Sequence, residues 1–194
     1  MSNYLETKSF HHLLVISKIF LFFIIIFISF FHNAFSSELD NLFLRLKQSE
    51  NPMIARNYES KIWKLWLNNG TSDASNTQMQ KGVDLLNNGK LDQALTIFID
   101  ISKKDPKWAE AYNKIAIIKF LKGDYLGSIN DIKKTLKLEP RHFGAISGLV
   151  QINIILKKYE EALINLEYVL NIHPNIGIKK LKPYLKKLLK KSSI

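Results

Sequence analysis

The sequence contains no cysteine. This absence excludes disulfide bonds, cysteine–zinc sites and thiol nucleophiles, and it excludes a lipid attached to a cysteine behind an export signal. Arginine is scarce too, because Arg45, Arg56 and Arg141 are the only arginines among 28 basic residues. Acidic residues are missing from the C-terminal end, since no aspartate or glutamate follows Glu167. The formal net charge of +11 is therefore carried by lysine and is concentrated near the C-terminus.

Motifs that support catalysis or metal binding are also lacking. Only two histidines follow residue 36, His142 and His173; without spaced partners or an acidic cluster they predict no metal site, and we expect both to be solvated turn residues. No glycine-rich phosphate loop occurs, and the carboxylates show no paired arrangement for acid–base chemistry. The sequence predicts a protein that is not an enzyme, with no catalytic residue, cofactor or metal.

A run of 13 residues, all apolar except Ser29, stands near the N-terminus, from Ile19 to Phe31. Its length suits the apolar core of a secretory signal and is short for a membrane span. Small residues follow at Ala34 and Ser36, where signal peptidase needs them. We expect residues 1–36 to be a signal peptide cut between Ser36 and Ser37.

The alternative is a retained anchor, because residues 13–31 form a longer apolar stretch. Lys8 and Lys18 precede the apolar core, and the positive-inside rule keeps such residues in the cytoplasm. In both interpretations residues 37–194 lie across the membrane. The expected location is the periplasm or another exported compartment, or the outer side of the inner membrane if the anchor is retained.

A period of 34 residues organises the middle of the chain, with prolines at positions 106, 140 and 174. Other positions recur in the same register. Ala94, Ser128 and Ala162 form a set of small residues. Large apolar residues form a second set, Phe98, Ile132 and Leu166. A third set contains Ile101, Thr135 and Leu170.

This period, with its small, large and terminal proline positions, resembles the tetratricopeptide repeat (TPR) family. The resemblance implies an all-α solenoid of three helical hairpins, at 75–108, 109–142 and 143–176. Small residues let the two helices of a hairpin approach, and proline stops the second helix because it lacks an N–H group. Gly89 and Gly123 are expected to supply left-handed turns.

Residues 37–70 predict a helix pair in front of the repeats. Ser37 and Asp40 fit a capping box for the first helix. The second helix is expected to start at Pro52 and to end at Leu67, with residues 71–76 as a linker or turn. Trp63 and Trp66 are predicted to fill the seam between this helix pair and the first repeat, although they could instead bind a ligand or a membrane interface.

The resemblance also implies a binding groove, because the first helices of successive TPR units line a concave face. The positions that this implies for the groove are Met79, Val83, Leu86, Asn113, Ile117, Phe120, Ser147, Gln151 and Ile154. A mostly apolar face of this kind suits a helical or extended apolar segment of another protein. The chain's own flanking helices could occupy it instead.

One TPR subgroup binds the acidic C-terminus of heat-shock chaperones with lysine, arginine and asparagine. The matching positions here are Met79, Val83, Lys114, Gly144 and Gly148. Only the lysine has a suitable side chain, so this activity is not expected. Arg141 could pair with an acidic partner or be an exposed turn residue.

Residues 177–194 predict a basic amphipathic helix, which can cap the apolar end of a solenoid. Its lysines could also contact an anionic membrane surface or polymer. These lysines are Lys179, Lys180, Lys182, Lys186, Lys187, Lys190 and Lys191. A nucleic-acid partner is not expected.

Residues 123–149 and the segment around Trp63 and Trp66 look like small exported TPR proteins of Gram-negative bacteria. This resemblance implies a place in the cell envelope and no particular chemistry. The sequence as a whole predicts an exported adaptor that binds an unidentified protein or peptide. A weaker alternative is an assembly factor that self-associates through its groove.

The predicted cleavage can be tested by sequencing the N-terminus of the protein recovered from cells. We expect the mature chain to begin at Ser37, because Ala34 and Ser36 precede that bond. A chain that begins at Met1 would contradict cleavage and would favour the retained anchor.

Overall fold

The computed structural model describes residues 37–192, and the side chains of residues 37–190. The helices in this range, named here in chain order, are α1 (Glu38–Gln48), α2 (Pro52–Leu67), α3 (Asp73–Asn87), α4 (Leu91–Lys104), α5 (Ala109–Leu121), α6 (Tyr125–Leu138), α7 (Phe143–Ile155), α8 (Tyr159–Ile172) and α9 (Lys182–Ser192). The chain divides into two units, residues 1–41 and 42–194, and the tertiary contacts described below lie within the second. Over the range described, no helix is long and apolar enough to cross a membrane.

Three antiparallel helical hairpins form the middle of the fold: α3 with α4, α5 with α6, and α7 with α8. The second helix of each hairpin packs against the first helix of the next, so that α4 contacts α5 and α6 contacts α7. The first helices α5 and α7 also touch. This arrangement confirms the predicted all-α solenoid of repeated hairpins.

The repeat positions form the core that the 34-residue period predicts. The small residues Ala94, Ser128 and Ala162 are buried, and so are the large ones, Phe98, Ile132 and Leu166. The third position needs a correction. Val169 is fully buried, whereas Leu170 is only half-buried, because a spacing of 34 from Thr135 leads to residue 169 and not to 170.

The turn within each hairpin contains a residue in the left-handed region. Gly89 has φ 71°, Gly123 has φ 79°, and Lys157 takes the same place in the third hairpin with φ 59°. Glycine tolerates this conformation because it has no Cβ. Lysine adopts it at a cost, so the third turn departs from the glycine of the other two.

The first two helices begin where the sequence predicts, and the third begins earlier than predicted. Ser37 and Asp40 exchange hydrogen bonds with each other's backbone N–H at 3.1 and 3.3 Å, which confirms the capping box. Helix α2 runs from Pro52 to Leu67 as predicted. The prediction of a linker over 71–76 is wrong, because α3 already begins at Asp73 and the Ser72 hydroxyl accepts the Ser75 N–H at 3.2 Å.

The C-terminal segment packs against the last repeat. A 3₁₀ helix, Gly177–Leu181, leads into α9, and α9 contacts α8. Leu185 is fully buried there, and the Lys182 ammonium lies 2.8 Å from a Glu167 carboxylate oxygen. The apolar side of α9 is thus directed at the protein itself.

Replacing Lys157 by glycine should raise the free energy of unfolding by about 0.5–1 kcal/mol, since a lysine side chain disfavours positive φ. Chemical denaturation measures this change. Lys158→Gly is the matched control, because residue 158 has φ −88° and gains nothing from glycine. Equal effects of the two substitutions would contradict the strained turn.

Candidate functional site

A cavity of about 360 Å³ opens between the first helices α5 and α7. Four residues predicted for the groove line it, namely Asn113, Ile117, Phe120 and Gln151. The other lining residues are Trp63, Ala116, Leu121, Ser128, Ile132, Gly144, Ala145 and Gly148. The second and third repeats together therefore supply most of the pocket.

The groove residues predicted in the first repeat lie elsewhere. Met79 is only 1% exposed and belongs to the buried cluster that includes Phe98, and Val83 and Leu86 pack against that cluster. In the third repeat Ser147 and Ile154 are half-buried and do not line the cavity. A role for any of these residues in binding remains a prediction.

Helix α2 covers part of the inner face, the face formed by the first helices. It packs against α3 and α5, and Trp63 reaches α7. A Cβ atom at Gly144 would lie 2.5 Å from the Trp63 ring, so only glycine allows this approach. The chain's own N-terminal helix thus fills part of this face, which was one of the two alternatives, and Trp63 forms one wall of the remaining cavity.

An aromatic cluster holds the N-terminal helices in this position. The Trp66 ring stacks on the His142 ring, with centroids 4.0 Å apart and planes 8° apart. Phe143 contacts Trp63, Trp66 and Phe43 with centroid distances of 5.2, 4.9 and 6.3 Å. The prediction that the tryptophans fill only the seam to the first repeat is therefore wrong, because both reach the start of the third.

A hydrogen bond also connects α2 to the residue just before α5. The Trp108 indole N–H donates to the Trp66 carbonyl at 2.6 Å, and this bond is buried. Trp108 is itself only 2% exposed. The C-terminal end of α2 is therefore fixed by a polar contact as well as by ring packing.

Glu110 is a fully buried carboxylate beneath the aromatic cluster. His142 Nε2 lies 2.8 Å from one carboxylate oxygen, and Lys114 Nζ lies 2.8 Å from the other. The Asn113 amide also donates to the carboxylate at 3.1 Å. Burial alone would raise the pKa of Glu110, but the hydrogen bond with His142 and the Lys114 charge outweigh it and hold that pKa below its usual value.

His142 is fully buried, so the prediction of a solvated turn residue is wrong. Its Nδ1 accepts the Ala145 N–H at 3.1 Å. The hydrogen-bond pattern therefore assigns the proton to Nε2, which donates it to Glu110. One imidazole thus caps α7, donates a hydrogen bond to the buried carboxylate and stacks on Trp66.

His173 forms a second link to α2 and corrects the same prediction. It is 1% exposed, and its Nε2 lies 3.2 Å from a Glu59 carboxylate oxygen. The hydrogen bond with His173 lowers the pKa of Glu59. Nearby, the Asn175 amide donates to the Ser49 carbonyl at 2.7 Å, so the segment after α8 is joined to the segment before α2.

Charged groups near the cavity are paired within the chain. Lys114 is bound to Glu110 and lies over the Trp63 ring, 5.7 Å from its centroid. Arg141 binds Glu139 at 2.9 Å and lies 4.2 Å from the Phe43 ring centroid. No charged side chain lines the cavity, and in the part of the chain that the structure describes no group of residues could hold a metal ion.

The repeat register held a signal for these buried polar residues. Trp108, His142 and Ile176 are 34 residues apart and all are buried. Asp105, Glu139 and His173 form a second such set, one residue before each proline, and are buried as well. Aligning these columns would have predicted the burial of both histidines.

Two curated proteins show how this chain relates to others. A TPR repeat-containing protein of Rhizobium etli is 34% identical over 123 residues, 62% of this chain and 60% of that protein. A BBSome complex member homologue of Drosophila melanogaster is 28% identical over 91 residues, 47% of this chain and 19% of that protein. The chain thus spans less than two thirds of either relative. No protein-family model matches it.

Solved structures share the fold. The first TPR of Spaghetti, bound to the HSP90 peptide SRMEEVD, has a TM-score of 0.57 at 22% identity, covering 64% of this chain and 98% of that one. The TPR2AB domain of yeast Sti1, in complex with pHSP90, has a TM-score of 0.53 at 17% identity, covering 80% and 62%. The described hairpins therefore have the helical-hairpin fold of tetratricopeptide-repeat domains.

Replacing Glu110 by glutamine should lower the free energy of unfolding at neutral pH by about 3 kcal/mol, because Lys114 and His142 lose a buried carboxylate. Chemical denaturation measures the loss. Glu160→Gln, at an exposed position, is the control and should change little.

The acid side of the stability profile provides a second readout. The pKa of Glu110 is lower in the folded chain than the ordinary value of 4.5. Ionised Glu110 therefore contributes fully to the free energy of unfolding above pH 4.5. This contribution is lost as the pH falls through the lowered value. The Glu110→Gln variant should not show this decrease in the free energy of unfolding at acid pH. An unchanged profile would contradict the buried charge.

Proposed function

We propose that this protein holds a neutral apolar segment of a partner protein in the cavity between α5 and α7. The observation that carries the proposal is the lining, which contains Ile117, Phe120 and Trp63 and no charged side chain. Leu121 lies at the cavity and is 56% exposed. Burying such apolar surface against a partner is favourable, at about 25 cal/mol per Å².

The size and the polar groups of the cavity favour insertion of a large side chain. A volume of about 360 Å³ is at the lower end for ligand pockets. Full burial of one large apolar side chain contributes roughly 1.5–3 kcal/mol, which is too little for stable binding alone. The amides of Asn113 and Gln151 line the same cavity and can bond the backbone beside the inserted side chain.

The proposed ligand differs in chemistry from the peptide bound to one structural neighbour. The peptide SRMEEVD bound to Spaghetti is acidic. In this chain the Lys114 ammonium is already bound to Glu110 at 2.8 Å, so it is a poor donor to a further carboxylate. The cavity therefore favours a neutral segment.

The proposal includes export and a non-enzymatic role. The apolar run Ile19–Phe31, with Ala34 and Ser36 behind it, supports delivery across a membrane into the cell envelope, either released or anchored. The absence of charged groups from the cavity lining favours holding a ligand over chemical change of it. The protein acts, in this view, by bringing a partner to its site.

A photo-crosslinking side chain in place of Leu121 should capture a partner protein in intact cells, since this residue lies at the cavity. The same side chain at Leu126 is the matched control, because Leu126 is 70% exposed and does not line the cavity. Crosslinked products, identified by mass spectrometry, should form at 121 and not at 126. No product at 121, or equal products at both positions, would contradict the proposal.

Aspartate at both Ile117 and Phe120 should abolish that crosslink from position 121, because two charges in the cavity would repel an apolar segment. Circular dichroism should show the same helix content, as both side chains are only half-buried. Leu126→Asp is the control and should leave the crosslink intact. A product that consists of two copies of this chain would support self-association in place of a separate partner.

A further inference from the structure

The C-terminal helix has a cationic side that the fold does not use. Lys186, Lys187 and Lys190 are exposed, and they form no ion pair within the described residues. Lys182 differs from them, since it binds Glu167 at 2.8 Å. Among the C-terminal lysines whose side chains the structure describes, Lys182 is paired, whereas Lys186, Lys187 and Lys190 face the solvent.

The apolar side of the same helix is already occupied. Leu185 is completely buried where α9 packs on α8, and Leu188 and Leu189 are half-buried. At 100° per residue these leucines lie opposite Lys186, Lys187 and Lys190. The helix therefore cannot insert its leucines into another apolar phase without leaving the repeats.

A shallow cleft extends the cationic side onto the end of the last repeat. Its lining combines the apolar residues Leu170, Pro174 and Pro183 with Lys179, Lys182 and Lys186. Tyr184, 51% exposed, adds a side chain suited to the interface between water and lipid headgroups. Exposed lysines beside a tyrosine and a few apolar residues are suited to binding a surface that has many negative charges and a polar interface.

We propose that this face binds the surface of an anionic lipid bilayer by electrostatic attraction, without insertion of α9. Charge complementarity carries the proposal, because lysine ammonium groups dispersed on an open helix face match the diffuse charge of lipid headgroups. The apolar run Ile19–Phe31 favours a bilayer over other polyanions, since it is expected to direct the chain to a membrane. This inference is independent of the proposed peptide cavity.

The test measures how the full chain partitions onto vesicles of equal parts phosphatidylglycerol and phosphatidylcholine, compared with phosphatidylcholine alone. The apolar run contributes to binding to both kinds of vesicle. The ratio of the two partition coefficients therefore reports only the electrostatic contribution to binding. Replacing Lys186, Lys187 and Lys190 by glutamine should lower this ratio roughly a hundredfold, at about fivefold for each lysine. Raising the salt well above about 0.1 M should also remove the preference.

A matched variant controls for net charge. Lys81, Lys103 and Lys107 are exposed as well but lie away from α9 in the chain, and their replacement by glutamine should change the ratio little. Thermal unfolding of both variants checks that the fold is intact. An equal loss in the two variants, or a preference that survives high salt, would overturn the proposal.

Discussion

A carboxylate without exposure to water has to be neutralised where it lies, and Glu110 is in that situation. Its partners are Lys114, Asn113 and His142. His142 also accepts the Ala145 N–H at the start of α7, so the Glu110 site joins the start of α5 to the start of α7. The far side of the same imidazole supports Trp66. One buried charge thus organises both the repeat junction and the position of the N-terminal helices.

The position of α2 then determines what the inner face can bind. Trp63 closes one end of the face against Gly144, and Lys114 is retained by Glu110. What remains is a small neutral cavity between α5 and α7, rather than a long cationic groove. The lysines of α9 lie on a helix that packs against α8, a second helix of a hairpin. Peptide binding and contact with an anionic surface would therefore use different parts of the fold.

The sequence predicted the features that depend on local or periodic signals. The 34-residue period located the hairpins, and the Ser37–Asp40 pair and Pro52 located the starts of α1 and α2. The start of α3 was not predicted correctly. Polar residues such as Ser72 are common both at helix N-caps and in loops, so they do not distinguish the two.

The site was predicted less well, because it depends on contacts between residues far apart in the chain. Trp66 and His142 are 76 positions apart, and Glu110 and His142 are 32 apart, at opposite ends of the second repeat. Composition does not reveal such pairs. Met79 occupies a groove position of the repeat and yet is core, because the first repeat packs it against Phe98.

The central claim is that α2 is docked on the inner face, and hydrogen exchange of the Trp108 indole tests it most directly. The chain contains only three tryptophans, so their indole N–H signals can be assigned in a nitrogen-15 NMR spectrum by single replacements with phenylalanine. Because the Trp108 N–H donates to the Trp66 carbonyl in a buried bond, it should exchange far more slowly than the indole of the half-buried Trp63. Exchange of the Trp108 proton as fast as that of a free indole would show that α2 is not docked, and it would contradict this account of the inner face.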